Sequence, residues 1–190
     1  MLPEEYEIHQ VTTDTSILRE QFHCPEMTLK GCHECGLYKT QWSCPPLLDE
    51  RLEEIFRFNY ATIYSVTVEI APQTPVEKSG ELLSPARKYL EQMLMLLEKE
   101  CSGKCSATIG KCNHCGDLPC ARRSGEPCRH PELVRPSLEA LGFNVAAITE
   151  ELLSIPLQWG NDGFLPPHIT LVGAVFHNDI LFLERPSNII

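Results

Sequence analysis

The chain has 190 residues, 43 % of them hydrophobic, and a formal net charge of −10. A chain of that length buries roughly 70 % of the surface exposed when unfolded, so it has a core and does not depend on a disulfide scaffold. The acidic balance argues against nucleic acid, whose phosphates need a basic face. The longest apolar-rich stretches, Ile169 to Phe176 and Leu94 to Leu97, are too short to cross a bilayer, which argues against a membrane protein.

In chain order, the start MLPEEYEIHQ lacks a basic region followed by an apolar run, so no signal peptide is expected and the thiols belong in a reducing cytoplasm. Tyr6 to Val11 reads as a short strand, followed by a helical turn from Asp14. Phe22 to Leu47 carries four cysteines, three prolines and two glycines, and is expected to be an ordered loop. Asp49 suits the N-cap of a helix with Leu52, Ile55 and Phe56 on one face, ending near Asn59. Tyr60 to Ala71 is rich in β-branched and aromatic residues and predicts a strand.

Pro72 to Gly80 reads as a turn or surface loop, and Ser84-Pro85 as a helix start, since proline suits the first helical position. That helix reaches about Glu100, with Leu90, Met93, Leu94 and Leu97 as a core-facing stripe. A second cysteine-rich loop spans 101 to 136. Ser137 to Gly142 predicts one helical turn closed by glycine, and Asn144 caps a helix bearing Val145, Ile148 and Leu152. His168 to Phe176 and Ile180 to Glu184 read as a hairpin, its first strand central because ITLVGAVF is apolar on both faces. The expected fold is a single α+β domain over residues 1–190: a small mixed or antiparallel sheet, helices on one side, and two long cysteine-rich loops (22–47 and 101–136). Loops of that length are unusual in a compact domain, and a bound metal supplies the reason for their order.

The ten cysteines fall in those two loops, none between residues 45 and 100 and none after 128. In the second loop Cys112-x2-Cys115 is a turn-spaced pair, followed by Cys120 and Cys128; four thiolates satisfy tetrahedral zinc or one 4Fe-4S cluster equally well in number. In the first, Cys24, Cys32, Cys35 and Cys44 form a second expected set, with Tyr38 and Trp42 between ligands as candidate shields against water. Cys24 and Cys44 are each followed by proline, a step that recurs among cluster ligands and favours iron–sulfur. His23, His33, His114 and His130 each lie within two residues of a cysteine, which keeps a Cys3His zinc site open beside the simpler reading as surface histidines. Cys101 and Cys105 read as small apolar residues, with a substitute ligand, a ligand to a second metal or a reactive nucleophile as the weaker readings. Residues 101–136 carry a net charge of +3 within this acidic chain, and Lys111, Arg122, Arg123 and Arg129 are expected to offset the charge of a thiolate-bound centre, beside the open readings of chance in a loop-rich segment and of a phosphate-bearing or acidic ligand. His168 and Glu139 are tempting acid–base groups that read more simply as a strand-edge histidine and a helix-surface or capping glutamate.

At Cys35-Gly-Leu-Tyr38, Trp42-Ser-Cys44-Pro-Pro46, Cys112-x2-Cys115, Pro127-Cys-Arg-His-Pro131 and Pro136-Ser-Leu-Glu-Ala-Leu-Gly142 the chain resembles family 2284 of the domains of unknown function, cysteine-rich proteins of bacteria and archaea. The likeness covers most of the chain in the same order. The third cysteine of the second loop arrives later than the family pattern leads one to expect, as Cys120 after Leu118-Pro119. The resemblance implies metal binding, and an anaerobic setting that suits an oxygen-sensitive cluster. The sequence thus points to one or two 4Fe-4S clusters in a redox accessory protein with a protein redox partner, rather than to a stand-alone enzyme. A zinc-stabilised interaction module is the alternative.

Overall fold

The computed structural model describes residues 7–47 and 50–179. Four strands make one antiparallel sheet: β1 (Glu7–Asp14), β2 (Tyr60–Glu69), β3 (Lys104–Cys105) and β4 (His168–His177), in the order β1-β2-β4-β3. The inner strands β2 and β4 are apolar on both faces, and each face has its own cover. Ala61, Ile63, Val172, Ala174 and Phe176 point to one core. Tyr64, Val66, Val68, Leu171 and Val175 point to the other.

Over the first face lie α1 (Thr15–Ile17, continuing as a π-helical turn through Phe22) and α5 (Val145–Leu153). They contribute Leu18, Phe22, Val145 and Ile148, joined by Leu138, Leu141 and Phe143 from the preceding turn. Over the second face lies α4 (Ser79–Glu100), through Ala86, Leu90, Leu94 and Leu97. Gly173 lets α4 come close, because a Cβ there would stand 2.4 Å from Leu94 Cδ1. The α+β class and the antiparallel sheet are as expected, and β4 is central. The expectation of helices on one side is corrected: a sheet whose inner strands are apolar on both faces needs both faces covered.

Local signals held where burial reinforced them. Asn144 Oδ1 accepts from Ala147 N at 3.2 Å, capping α5 as its side chain suggests. Gly142, at φ +94°, closes the turn after Ser137. Elsewhere the boundaries moved. Helix α4 starts at Ser79, ahead of Pro85, after a 3₁₀ turn at Val76–Lys78. Burial begins only at Ala86, so the proline disturbs an exposed stretch where a lost backbone bond is exchanged for water. The stretch from Phe22 to Leu47 is not all loop, since it contains the ten-residue helix α2 (Pro25–Glu34). Pro25 stands just after the cap residue Cys24, as proline prefers, but no residue of α2 is buried, so no apolar stripe announces it. The short helix α3 (Glu50–Ile55) matches expectation; the expected cap Asp49, the expected strand start Tyr6 and the expected second hairpin strand Ile180 to Glu184 lie outside the described residues.

Between α4 and β3 the chain passes Gly103, where an added Cβ would meet Phe176 O at 2.3 Å and Cys101 Sγ at 2.9 Å. The nearer atom is sheet backbone, which cannot swing aside. Gly103→Ala is therefore expected to cost about 2 kcal/mol through overpacking. In urea the midpoint should fall with an unchanged slope, and an unchanged midpoint would show that β3 is free to move.

Candidate metal centre

All ten cysteines are free thiols. In the second loop Cys112, Cys115, Cys120 and Cys128 line one small cavity of about 20 Å³, together with His114, His130 and Trp42. Burial pushes the Cys112 thiol up, the His114 backbone N–H pulls it down, and the thiolates of Cys120, Cys128 and Cys115 push it up again. Those mutual effects accord with four thiols on the wall of one cavity. Arg129 Nη1 donates to Cys115 Sγ at 3.7 Å and to Pro119 O at 2.9 Å.

In the first loop, Cys24 caps α2 at one end while Cys32 and Cys35 stand at the other. Eight residues of helix separate Cys24 from Cys32 by roughly 12 Å along the axis. The structure therefore gathers Cys32, Cys35 and Cys44, which line a common cavity, and leaves Cys24 apart with its thiol toward Phe22 O. Burial raises the Cys32 thiol, and the Cys44 and Cys35 thiolates raise it further. Burial likewise raises Cys44, whose charged neighbours include Cys35, Arg122 and Cys120. That last neighbour belongs to the other loop.

Arg122 holds the two loops together. Its guanidinium donates to Gln41 O (2.7 Å), Pro46 O (2.7 Å) and Cys44 O, and lies over the Trp42 ring at 5.0 Å. Buried Gln41 completes the seam by accepting Cys112 N at 2.7 Å, and Trp42 Nε1 donates to Glu126 O at 3.1 Å. Two sets of thiols far apart in the chain thus form one neighbourhood. Among the described residues no three His, Cys, Asp or Glu side chains are already closed around a point in the way a metal ion needs.

The remaining candidates divide clearly. Of the cations expected to offset charge, Arg129 reaches a sulfur, Arg122 binds backbone, Lys111 lines the small cavity, and Arg123 is exposed. Of the histidines, His114 and His130 stand among the second-loop thiols. His23 instead packs edge-on between Phe56 and Phe143 and faces Leu141 O at 3.2 Å, so it is neither a surface residue nor placed with those thiols. His33 rests against the Tyr38 ring. Tyr38 lines the first-loop cavity beside Cys35, so it serves as wall there.

Cys101 donates to Leu97 O at 3.0 Å, and burial raises its thiol. Cys105 is buried in the α4 core and burial pushes its thiol far up. Both are the reverse of an activated nucleophile. His168 opens β4, paired with Glu69, as a strand-end histidine should. Glu139 departs from its surface reading: it lines the first-loop cavity near Cys32, and burial pushes its carboxyl up. Residue type alone favoured the surface reading over the acid–base one, because the turn that brings it to the cavity depends on Leu138 and Leu141 entering the core.

An α+β sheet whose two cysteine-rich segments meet at one seam defines a cysteine-rich class of protein. The chain belongs to family 2284 of the domains of unknown function, described as a predicted metal-binding protein, which matches residues 17–176. No curated protein and no solved structure matches the chain. No helix among the described residues is long and apolar enough to cross a membrane.

Proposed function

We propose that the protein is an iron–sulfur protein with a redox accessory role in the cytoplasm, passing electrons to or from a protein partner. The carrying observation is the meeting of Cys32, Cys35, Cys44, Cys112, Cys115, Cys120 and Cys128 across the Arg122 seam. That is more sulfur than one tetrahedral zinc takes. Cys112, Cys115, Cys120 and Cys128 would hold one 4Fe-4S cluster, and Cys32, Cys35 and Cys44 would supply most of a second. A cluster there supplies reversible one-electron storage. The Arg129 N–H on Cys115 Sγ offsets thiolate charge and favours the reduced form. Cys24 takes part only if α2 shifts or unwinds.

A zinc-stabilised interaction module is the second reading, and two observations favour it. The second-loop cavity, about 20 Å³, is close to the room one water needs, and His114 and His130 line it. Analysis of protein purified without air separates the two. Brown protein containing iron and acid-labile sulfide in equal amounts is the expected result, with Cys112→Ser losing the second-loop share. Colourless protein with stoichiometric zinc would overturn the cluster reading and support the module.

A further inference from the structure

Between α2, α4 and the segments 105–114 and 137–146 lies a cavity of about 470 Å³. That volume falls in the range of small-molecule sites, roughly 300 to 1,000 Å³. Met27, Thr28, Gly31 and Cys32 of α2, with Cys35 just past its end, form one wall. The spacing of the first four places them on one helical face. Since α2 buries no residue at all, that face has this chamber for its neighbour instead of a packed core. Three of the large apolar side chains most open to solvent also belong to the chamber: Trp159 at 78 % exposure, Ile109 at 55 % and Met27 at 52 %.

The charges around it are spoken for. Arg87 pairs with Glu91 at 3.2 Å and also donates to Thr108 Oγ1 and Lys111 O. Arg135 pairs with Glu98. The carboxyl of Glu139 remains on the wall and offers an anion no partner. An anionic ligand would give up water and find no free counter-charge, at a cost that apolar contact does not offset.

We infer that this chamber is a binding site for a largely apolar organic molecule that carries no anionic group, seated against α2 and capped by Trp159. The first-loop thiols Cys32, Cys35 and Cys44 share its wall.

The test uses the full chain and the neutral fluorophore N-phenyl-1-naphthylamine, which brightens in apolar surroundings. Saturable binding at one site per chain is expected. Gly31→Leu should weaken it at least about tenfold, the factor given by losing roughly 55 Å² of apolar contact. A Cβ at Gly31 meets nothing within 4 Å, and leucine suits a helix better than glycine, so the fold should hold. Ile109→Glu, a change at the exposed rim, should weaken binding similarly and serves if Gly31→Leu unfolds. Absence of saturable binding, or equal binding by both variants, overturns the site. Equal affinity for the sulfonated analogue 8-anilinonaphthalene-1-sulfonate overturns the ligand class. Iron and sulfide contents are read separately on the same preparations, so a protein with clusters but no probe binding fails here without touching the cluster reading.

Discussion

Replacing Arg122 with alanine is expected to cost about 3 kcal/mol and to weaken metal retention about 10- to 100-fold. The guanidinium donates to three backbone carbonyls of the first loop, those of Gln41, Cys44 and Pro46. Net contributions of hydrogen bonds involving a charged group run at about 1.5 to 3 kcal/mol each, but three from one side chain do not add fully, which sets the lower total. Loss of the contact with Trp42 removes about a further 0.5 to 1 kcal/mol. Without the staple, the first loop is no longer held against the second, so the centre loosens as the fold does. Arg122→Lys should recover less than half of either effect, because an ammonium cannot span three carbonyls. Urea unfolding and competition with a chelator measure the two quantities. Should Arg122→Ala unfold within 1 kcal/mol of the parent and retain metal equally, the seam would not depend on this residue.

The second large effect is expected at Arg135, whose guanidinium forms two bonds to the Glu98 carboxylate, one of them Nε to Oε2 at 2.9 Å. Both side chains are largely buried, at 18 % and 12 % exposure. Cys105 N also donates to Glu98 at 2.6 Å, so this pair ties the end of α4 to β3 and to the second loop. Arg135→Ala leaves a buried carboxylate without its partner and should cost about 3 to 5 kcal/mol. Arg135→Ala combined with Glu98→Gln should recover part of that loss, since the amide carries no charge to desolvate.

The pH dependence gives this prediction a signature. Burial alone would raise the Glu98 carboxyl, but the Arg135 bonds and the Cys105 N–H together outweigh it and hold the group below its ordinary value. A group depressed in the folded state stabilises above its unfolded value, and that contribution fades as pH falls through the folded value. In Arg135→Ala burial dominates and the sign reverses, so the variant's deficit should shrink on acidification. Unfolding free energies at neutral pH and near pH ~4 would check it. A deficit equal at both would mean that Arg135 acts through packing alone.

Much of the fold was legible because burial imposes patterns on residue type. The run ITLVGAVF is apolar at consecutive positions because β4 is an inner strand with both faces covered. Asn144 and Gly142 announced the start of α5 and the close of the turn before it, since capping and positive φ each select a few side chains. Helix α2 was not legible, because a helix that buries nothing carries no apolar period. The same reasoning from residue type found the cysteines but placed Cys24 with Cys32, overlooking that a helix between them spreads them along its axis.

What the amino-acid order determined by itself is the chemistry: ten thiols in two groups, an acidic chain with a basic second loop, and strands that demanded cover. Only the tertiary structure decided that the two groups are neighbours and that a chamber opens beside one of them. The physical reason is the partner Arg122 chose. It binds backbone carbonyls, which every residue possesses, so nothing in the identity of Gln41, Cys44 or Pro46 could announce the contact.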